Sequence, residues 1–318
     1  MNLENLNIDK ELKIVYMGTP DFSATVLDNL IKQYKVRAIV TQPDKKVGRN
    51  GEIRVTPVKK IANDNTILVI QPAHIKEAVE DIRAFEPDLI ITCAYGQIIP
   101  SSILDMPRLG AINVHASLLP KLRGGAPIHR CIIEGHKKTG ITIMYMSPKM
   151  DAGDMIKQEE IEIMDTDTAE TLHDKLSVLG AKLLLDTLPS IINGTNERIP
   201  QDESKVTYGF NISREDELIN FDKTSREVYN QIRGLNSWPG AYAMLDGKVF
   251  KIWESTYGEN TDQRIIPGTI TAKYKNGFGI KTNNGEIIAT IVQPEGKKRM
   301  NASDFANGQQ ELIGKRFN

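Results

Sequence analysis

The sequence contains only two cysteines, Cys93 and Cys131, among its 318 residues, which is too few for a disulfide framework. One lies in an apolar run and the other in a predicted helix, so we expect both to be buried free thiols. No apolar run approaches the ~20 residues that a helix needs to span a bilayer. The N-terminal segment also lacks an uninterrupted apolar stretch, which argues against a signal peptide. These absences together predict a cytoplasmic protein without a membrane partner.

An excess of charge of either sign is also missing, because 40 Lys and Arg residues stand against 41 Asp and Glu residues. This balance argues against indiscriminate binding of nucleic acid but leaves local patches open. The charge is unevenly distributed, since residues 205–318 carry 16 basic and 13 acidic residues. The C-terminal part is therefore mildly basic and the preceding part acidic.

Several common catalytic motifs are absent as well. Residues 18–22 read GTPDF, which places proline in the bend where a dinucleotide-binding G-x-G-x-x-G turn would lie. The sequence has no Walker A motif, no H-E-x-x-H and no paired C-x-x-C. A dehydrogenase, a P-loop NTPase and the common zinc enzymes are therefore disfavoured, and no metal is expected.

The first part of the chain alternates short apolar runs with longer amphipathic ones. This alternation predicts an α/β fold with a Rossmann-like, mostly parallel sheet covered by helices. The strand-like runs are residues 13–18, 36–41, 89–93, 111–115 and 141–146. A long amphipathic stretch, residues 168–192, ends this pattern. Active sites in such sheets lie beyond the carboxyl ends of the strands.

The pattern changes after a polar, turn-rich stretch that begins at about residue 193. We expect a catalytic domain over residues 1–204, including this linker, and a second domain over residues 205–318. Short strand-like runs in the second domain are separated by Asp-Gly and Asn-Gly pairs, which are typical of hairpins. The pairs are Asp246-Gly247, Asn276-Gly277 and Asn284-Gly285. This arrangement predicts a small antiparallel β-barrel of the OB-like type.

The densest group of chemically useful residues begins at the end of the strand-like run 111–115. Asn113 and His115 are two residues apart, so their side chains project from one face of the strand. A glycine-rich turn, residues 123–125, follows a few residues later. The simpler interpretation is that the two side chains only hold a loop in place, but the assembly favours a polar pocket.

Asp151 lies between the apolar run 141–146 and a glycine turn. An aspartate in such a place is commonly a turn residue. A carboxylate at the end of a strand near His115 can also fix the tautomer of the imidazole and favour its charged form. Because the two motifs occur together, we favour the coupled interpretation.

Two basic segments are candidates for contact with phosphates. Residues 42–54 carry Lys45, Lys46, Arg49 and Arg54 after the second strand-like run. Residues 297–299 form the densest basic triplet of the second domain and consist of Lys297, Lys298 and Arg299. Each segment is interpreted either as solvated and mobile or as a grip on a nucleic-acid backbone.

Eight segments, spread along nearly the whole chain, read MGTPDFS, TQPDKKVGR, AYGQIIP, INVHASLLPKLRGGAPI, MDAGDMI, LNSWPGAY, KIW and QPEGKKRM. In this order they resemble the methionyl-tRNA formyltransferase family. The Asn-x-His and SLLP-x-x-RG parts are shared by enzymes that use 10-formyltetrahydrofolate. The basic loop and the NSWPGA and QPEGKK segments are what indicate a tRNA substrate.

The resemblance implies transfer of a formyl group from 10-formyltetrahydrofolate to the α-amino group of initiator methionyl-tRNA. It also implies that Asn113 and His115 donate to the oxyanion, while Asp151 keeps His115 charged and helps to move a proton. The implied folate contacts are Ser117, Leu118, Leu119 and Pro120. Two sets of tRNA contacts are also implied. The acceptor arm would be contacted by Lys45, Lys46, Arg49 and Arg54. The tRNA backbone would be contacted by Lys297, Lys298 and Arg299. No metal and no obligatory protein partner are implied.

Three other functions remain as alternatives. A formyltransferase acting on an amino sugar or a ribonucleotide would keep Asn113, His115 and Asp151 but would not need the basic segments. A non-catalytic RNA-binding protein would use the α/β half as a scaffold and would not depend on His115. A dehydrogenase would bind NAD(P), for which the sequence offers no glycine motif.

Overall fold

The computed structural model describes residues 12–47 and 51–318. They form two compact units, each built from several stretches of the chain. The first unit contains the described residues up to Pro127 together with Lys138–Ile161 and His173–Gly209. The second contains Ile128–Lys137, Glu162–Leu172 and Phe210–Asn318. The division into domains 1–204 and 205–318 stays a prediction.

The first sheet is mostly parallel, as predicted. The first nine strands of the chain are β1 (Ile14–Gly18), β2 (Val36–Val40), β3 (Lys45–Val47), β4 (Glu52–Arg54), β5 (Leu68–Ile70), β6 (Leu89–Cys93), β7 (Ala111–His115), β8 (Lys138–Tyr145) and β9 (Met155–Glu162). Seven of them form a sheet in the order β5-β2-β1-β6-β7-β8-β9. Strand pairs from β5 through β7 are parallel, whereas β7 and β8 are antiparallel. The carboxyl ends of β6 and β7 therefore lie side by side.

Helices connect these strands and bury apolar faces. They are α1 (Asp21–Leu30), α2 (Pro57–Asp64), α3 (Val79–Arg83), α4 (Ser101–Leu104), α5 (Pro127–Ile133) and α6 (Ala169–Ile192). In α1 the buried residues Phe22, Val26 and Leu30 recur at helical spacing. Helix α2 begins after Thr56, whose hydroxyl accepts a hydrogen bond from the Lys59 backbone N–H. None of the helices in residues 12–47 and 51–318 has the length and apolar character needed to cross a membrane.

The two cysteines are buried and free, which confirms the prediction. Cys93 is the last residue of β6, and burial raises the pKa of its thiol to about 12. A thiol with so high a pKa is almost entirely protonated at neutral pH. Cys93 is therefore a packing residue rather than a nucleophile.

The basic stretch over residues 42–54 contains a hairpin rather than an irregular loop. Strands β3 and β4 pair antiparallel, with Lys45 opposite Arg54. At its base Asp44 accepts hydrogen bonds from the side chains of Lys59 and Gln71. The bond from the Lys59 ammonium lowers the pKa of the Asp44 carboxyl. The base of the hairpin is thus anchored, while Arg49 lies outside the described residues.

The second unit contains an antiparallel sheet, as predicted. Its helices and strands are α7 (Arg214–Glu217), α8 (Ser225–Gly234), β10 (Ala241–Leu245), β11 (Lys248–Gly258), β12 (Ile270–Tyr274), β13 (Gly277–Lys281), β14 (Glu286–Pro294), β15 (Met300–Asn301) and α9 (Ala302–Asn307). The strand order is β10-β11-β14-β13-β12, with β15 on β14. Phe317 pairs with Leu245 of β10, and Arg316 pairs with Thr269 beside β12. The last residues therefore join both edges of the sheet into a barrel-like closure.

All three Gly-containing pairs occur at hairpins, but only one forms the turn in the expected way. Asp246 and Gly247 connect β10 to β11 and both have positive φ, at 51° and 73°. This combination defines a type I′ turn, whose twist matches that of the flanking strands. In the β12–β13 hairpin Tyr274 pairs with Gly277, so Gly277 is already part of the strand. Turn chemistry located the hairpins without fixing which residues form each turn.

Aromatic packing dominates the core of the second unit. Phe250 is buried, and its ring centroid lies 5.0 Å from that of Phe305, 5.3 Å from that of Phe317 and 6.3 Å from that of Phe278. Each of these contacts is edge-to-face, the arrangement that the ring quadrupoles favour. The four rings join β11, β13, α9 and the C-terminal residues into one core.

A partly buried ion pair holds α5 within the second unit and gives a test of its stability. The Arg130 guanidinium donates to both carboxylate oxygens of Asp216, at 2.9 and 2.6 Å. The hydrogen bond from Arg130 lowers the pKa of Asp216 to about 2. Replacing Asp216 by Asn should reduce the free energy of unfolding by about 2 kcal/mol at pH 7, because each unit of pKa shift corresponds to ~1.4 kcal/mol.

The pH dependence of this effect follows from the direction of the shift. A lowered carboxylate pKa stabilises the fold above the unfolded value of ~3.9, and that stabilisation is lost as the pH falls toward 2. The difference between the wild type and Asp216→Asn should therefore shrink below pH 4. Urea unfolding from pH 7 down to pH 3 measures it, with Asp222→Asn, an exposed aspartate of the same unit, as control. A difference that is independent of pH would exclude the ion pair as its source.

Candidate active site

Asn113 lies in β7 at the carboxyl end of the parallel sheet, directly opposite Thr92 of β6. The Thr92 hydroxyl oxygen is 2.9 Å from Asn113 Oδ1 and 3.1 Å from the backbone oxygen of Ile112. A bond from this hydroxyl to the amide oxygen turns the NH₂ group of Asn113 away from Thr92. Thr92 therefore orients Asn113 as a hydrogen-bond donor, a role that the sequence analysis missed.

His115 is the last residue of β7, and its side chain is only 6% exposed. Its Nε2 lies 3.2 Å from the backbone oxygen of Leu122. Because a carbonyl oxygen only accepts, Nε2 carries the hydrogen in this contact. The other ring nitrogen, Nδ1, faces Asp151 Oδ1 at 3.8 Å. Nδ1 is thus the ring nitrogen that faces the carboxylate.

Asp151 is fixed from two sides so that its carboxylate faces His115. Its Oδ2 accepts a hydrogen bond of 2.8 Å from the backbone N–H of Gly124. Its backbone oxygen accepts one of 2.7 Å from the side-chain amide of Gln201. The residue has φ of 49°, in the left-handed region, which turns the chain sharply after β8. The structure therefore brings together Asn113, His115 and Asp151 at one end of the sheet.

The segment between His115 and the glycine turn is held by hydrogen bonds within the first unit. The Thr142 hydroxyl donates to the Ser117 backbone oxygen at 2.6 Å, and the Gln158 amide donates to the Leu119 backbone oxygen at 2.9 Å. The Ser117 hydroxyl donates to the backbone oxygen of Lys121. Leu119 is buried, whereas Leu118 and Pro120 remain partly exposed. The folate contacts predicted for Ser117, Leu118, Leu119 and Pro120 stay predictions.

The polar stretch that the sequence predicts to be a linker contributes to this region. Gln201 Oε1 accepts two hydrogen bonds from the guanidinium of Arg123, at 3.0 and 2.8 Å. Glu203 accepts two more, and the hydrogen bonding from Arg123 lowers the pKa of its carboxyl. Arg123 is only 3% exposed and belongs to the turn that supplies the Gly124 N–H. A buried arginine needs acidic or carbonyl partners, but no local sequence pattern indicates that Gln201 and Glu203 supply them.

The predicted tRNA-contacting residues are mostly exposed. Lys45, Lys46 and Arg54 lie on the β3–β4 hairpin of the first unit, and Lys297 and Lys298 follow β14 in the second. Arg299 behaves differently, because its guanidinium carbon lies 3.4 Å from the ring centroid of Trp253. Arg299 is therefore held in place by a cation–π contact. Contact of these residues with tRNA stays a prediction.

In residues 12–47 and 51–318, no group of three or more His, Cys, Asp or Glu side chains is placed to hold a metal ion. An amide, an imidazole and a carboxylate can together stabilise an oxyanion and move a proton.

Comparison with known proteins identifies the family. Residues 12–188 match the family model for formyl transferase, and residues 211–310 match that for the formyl transferase C-terminal domain. The methionyl-tRNA formyltransferase of Macrococcus caseolyticus (strain JCSC5402) is 51% identical over 309 residues, which cover 96% of this chain and 99% of that protein. That of Staphylococcus aureus (strain MW2) has the same identity and coverage.

Solved structures agree on the fold. An N-formyltransferase from Helicobacter canadensis, in complex with folinic acid and dTDP-3-aminofucose, has a TM-score of 0.66 at 23% identity and covers 88% of this chain and 99% of its own. HypX from Aquifex aeolicus, in complex with tetrahydrofolic acid, has a TM-score of 0.66 at 15% identity over 97% of this chain and 51% of its own. These two structures show the fold, whereas the 51% identical relatives and the family model over residues 12–188 show that the chain belongs to the methionyl-tRNA formyltransferase family.

Proposed function

We propose that this chain transfers the formyl group of 10-formyltetrahydrofolate to the α-amino group of initiator methionyl-tRNA, with Asn113, His115 and Asp151 as its catalytic residues. The observation that carries the proposal is the 3.8 Å approach of His115 Nδ1 to Asp151 Oδ1, on the same strand end as Asn113. The names of the 51% identical relatives support the choice of acceptor. The folate-bound neighbours in the same fold support the choice of donor.

The reaction needs hydrogen-bond donors for a developing negative charge. The α-amine attacks the formyl carbon, a C–N bond forms, and the carbonyl oxygen becomes an oxyanion. The Asn113 amide, which Thr92 orients, and a protonated His115 are the donors in this scheme. Loss of one such donor typically costs ~3–4 kcal/mol of transition-state stabilisation.

Collapse of the intermediate requires a proton to move from one nitrogen to another. The attacking amine loses a proton, and the folate N10 gains one as its bond to the formyl carbon breaks. His115 Nδ1 and the Asp151 carboxylate form the relay, because both face the same space and neither is consumed. The Gly124 N–H holds the Asp151 carboxylate, and the Leu122 carbonyl holds the His115 ring, so the two groups stay in place during the reaction.

The direct test is a formylation assay with the full chain. The protein is incubated with 10-formyltetrahydrofolate and methionyl-initiator tRNA, and mass spectrometry detects N-formylmethionine after hydrolysis of the ester. We expect formylation of the initiator tRNA and little of a small amine such as an amino sugar. Formylation of the small amine alone would overturn the proposed acceptor. Because its substrate is a product of aminoacylation, we place the enzyme in the cytoplasm.

The basic hairpin should contribute to tRNA binding through phosphate contacts. Replacing Arg49 by Ala should weaken productive use of tRNA at low salt and leave folate binding unchanged. Loss of one phosphate contact should reduce the slope of log K against log salt by about 0.9, so the defect shrinks as salt rises. Kinetics for tRNA at several salt concentrations measure this, with the exposed Arg83→Ala of α3 as control. Equal salt slopes for wild type and Arg49→Ala would remove the residue from the interface.

A further inference from the structure

Trp238 is unusual because 69% of its surface is exposed, whereas Trp253, the other tryptophan of the chain, is only 6% exposed. Tryptophan is the side chain with the largest apolar surface, and exposing it to water without a partner is unfavourable. It follows helix α8 in the second unit, just before β10. An exposed aromatic side chain of this size is typical of binding surfaces.

The backbone around Trp238 is held by Arg299, Lys251 and His129, which come from three different parts of the second unit. Arg299 Nη2 donates to the Ser237 carbonyl at 3.2 Å, and Lys251 Nζ donates to the Pro239 carbonyl at 2.7 Å. His129 Nε2 lies 3.3 Å from the carbonyl of Trp238 itself, and its ring lies edge-on to the indole. Three consecutive carbonyls are thus fixed, so the exposed side chain stands on a rigid base.

Trp253 supports this base from beneath. Gly240 has φ of 88°, and a Cβ atom added there would lie 2.5 Å from the Trp253 ring. Only glycine permits so close an approach at this φ. Arg299 lies over the same ring at 3.4 Å and Lys251 Nζ at 5.1 Å from the centroid. The two cations are therefore ordered before any partner arrives, and a preordered site loses less entropy on binding.

We propose that Trp238 is a stacking surface for an unpaired base of the tRNA, with the adjacent cations holding the neighbouring phosphates. This inference rests on the proposed function and adds Trp238 to the residues that contact the tRNA. An exposed ring beside ordered cations is the combination by which proteins bind single-stranded nucleic acid. Arg299 reaches the carbonyl next to Trp238, and the exposed Lys297 and Lys298 immediately precede it in sequence.

Charge favours RNA over a protein partner at this surface. Two of the side chains that hold residues 237–239, Lys251 and Arg299, are cationic, and their hydrogen bonds go to neutral backbone carbonyls. Within the part of the chain that the structure describes, no ion pair joins Lys297, Lys298 or Arg299 to a carboxylate. The cations favour an anionic partner, and the exposed ring of Trp238 favours a flat apolar face. A nucleotide supplies both, in its phosphate and its base.

The first test compares the wild type and Trp238 variants in their affinity for deacylated initiator tRNA. Deacylated tRNA has no methionyl group to formylate, so catalysis does not affect the measurement. Trp238→Ala should raise the Kd about tenfold, in keeping with the stacking of one base on one ring. Trp238→Phe, which keeps a flat ring, should remain within about threefold of wild type. Ile313→Ala is the matched control, because Ile313 is an exposed apolar residue of the same unit (58% exposed), and it should bind normally. Wild-type affinity in Trp238→Ala would overturn the inference.

Tryptophan fluorescence supplies a second, independent measurement. A base stacked on Trp238 should quench its emission, so wild type should lose more fluorescence on adding tRNA than Trp238→Phe does. A short single-stranded RNA should cause the same quenching, whereas a blunt duplex should not. Equal quenching in both proteins would reject the stacking role. Formylation by the wild type is measured separately, so failure of the stacking role and failure of the proposed function are distinguishable.

Discussion

Replacing His115 by Ala should lower kcat for formyl transfer by about 10²–10⁴-fold, while the Kd for tRNA changes little. This range is what a positioned acid–base group contributes. His115 has only one nitrogen free to exchange a proton, since Nε2 is engaged with the Leu122 carbonyl. Removing the ring therefore removes the proposed proton carrier together with one of the two proposed oxyanion donors. Single-turnover kinetics at saturating substrates measure the loss.

The controls for His115→Ala separate chemistry from folding. His74→Ala alters an exposed histidine of the same unit and should retain wild-type kcat. Added imidazole should restore part of the activity of His115→Ala, because the substitution leaves space where the buried ring was. Residual turnover near the wild-type level would mean that another group carries the proton.

Replacing Asp151 by Asn should have a comparable effect for a different reason. The amide oxygen of Asn can still accept the Gly124 N–H, but its NH₂ group then faces His115 Nδ1. An amide hydrogen at that place favours the imidazole with a bare Nδ1, which cannot donate to an oxyanion. We expect kcat to fall by about 10²–10³-fold with little change in the affinity for folate or tRNA.

Asp154→Asn provides a matched control for this substitution. Asp154 lies three residues away in the same turn, and its nearest cation is Arg198 at 4.0 Å. Its carboxylate pairs with Arg198, whereas His115 pairs with Asp151, so kcat should be unchanged. If both variants lost activity equally, the effect would belong to the turn rather than to the carboxylate at position 151.

The central strands were the easiest part of the fold to predict. Strand β1 is buried along its whole length, and a strand buried on both faces reads as a continuous apolar run. Strand β5 was missed because it has only three residues, and Leu68 in it is exposed. The antiparallel direction of β8 was also missed, since apolar periodicity is identical in either direction.

The candidate site was predicted only in part. Asn113 and His115 share a strand, so their proximity follows from spacing alone. The hydrogen bond between Arg123 and Gln201 joins residues 78 positions apart, and no local sequence pattern predicts such a contact. Likewise the contact of Arg299 with Trp253 depends on how β11 and β14 pair. Residues that hold catalytic groups in place are therefore harder to find from sequence than the groups themselves.

The division of the chain among its two units has a consequence for protein engineering. The backbone passes between the units five times, after residues 127, 137, 161, 172 and 209. The first passage comes only three residues after Gly124, whose N–H holds Asp151. A chimera that exchanges one unit between relatives must therefore exchange three separate segments together. A single splice point would leave at least one unit of every recombinant with parts of both parents.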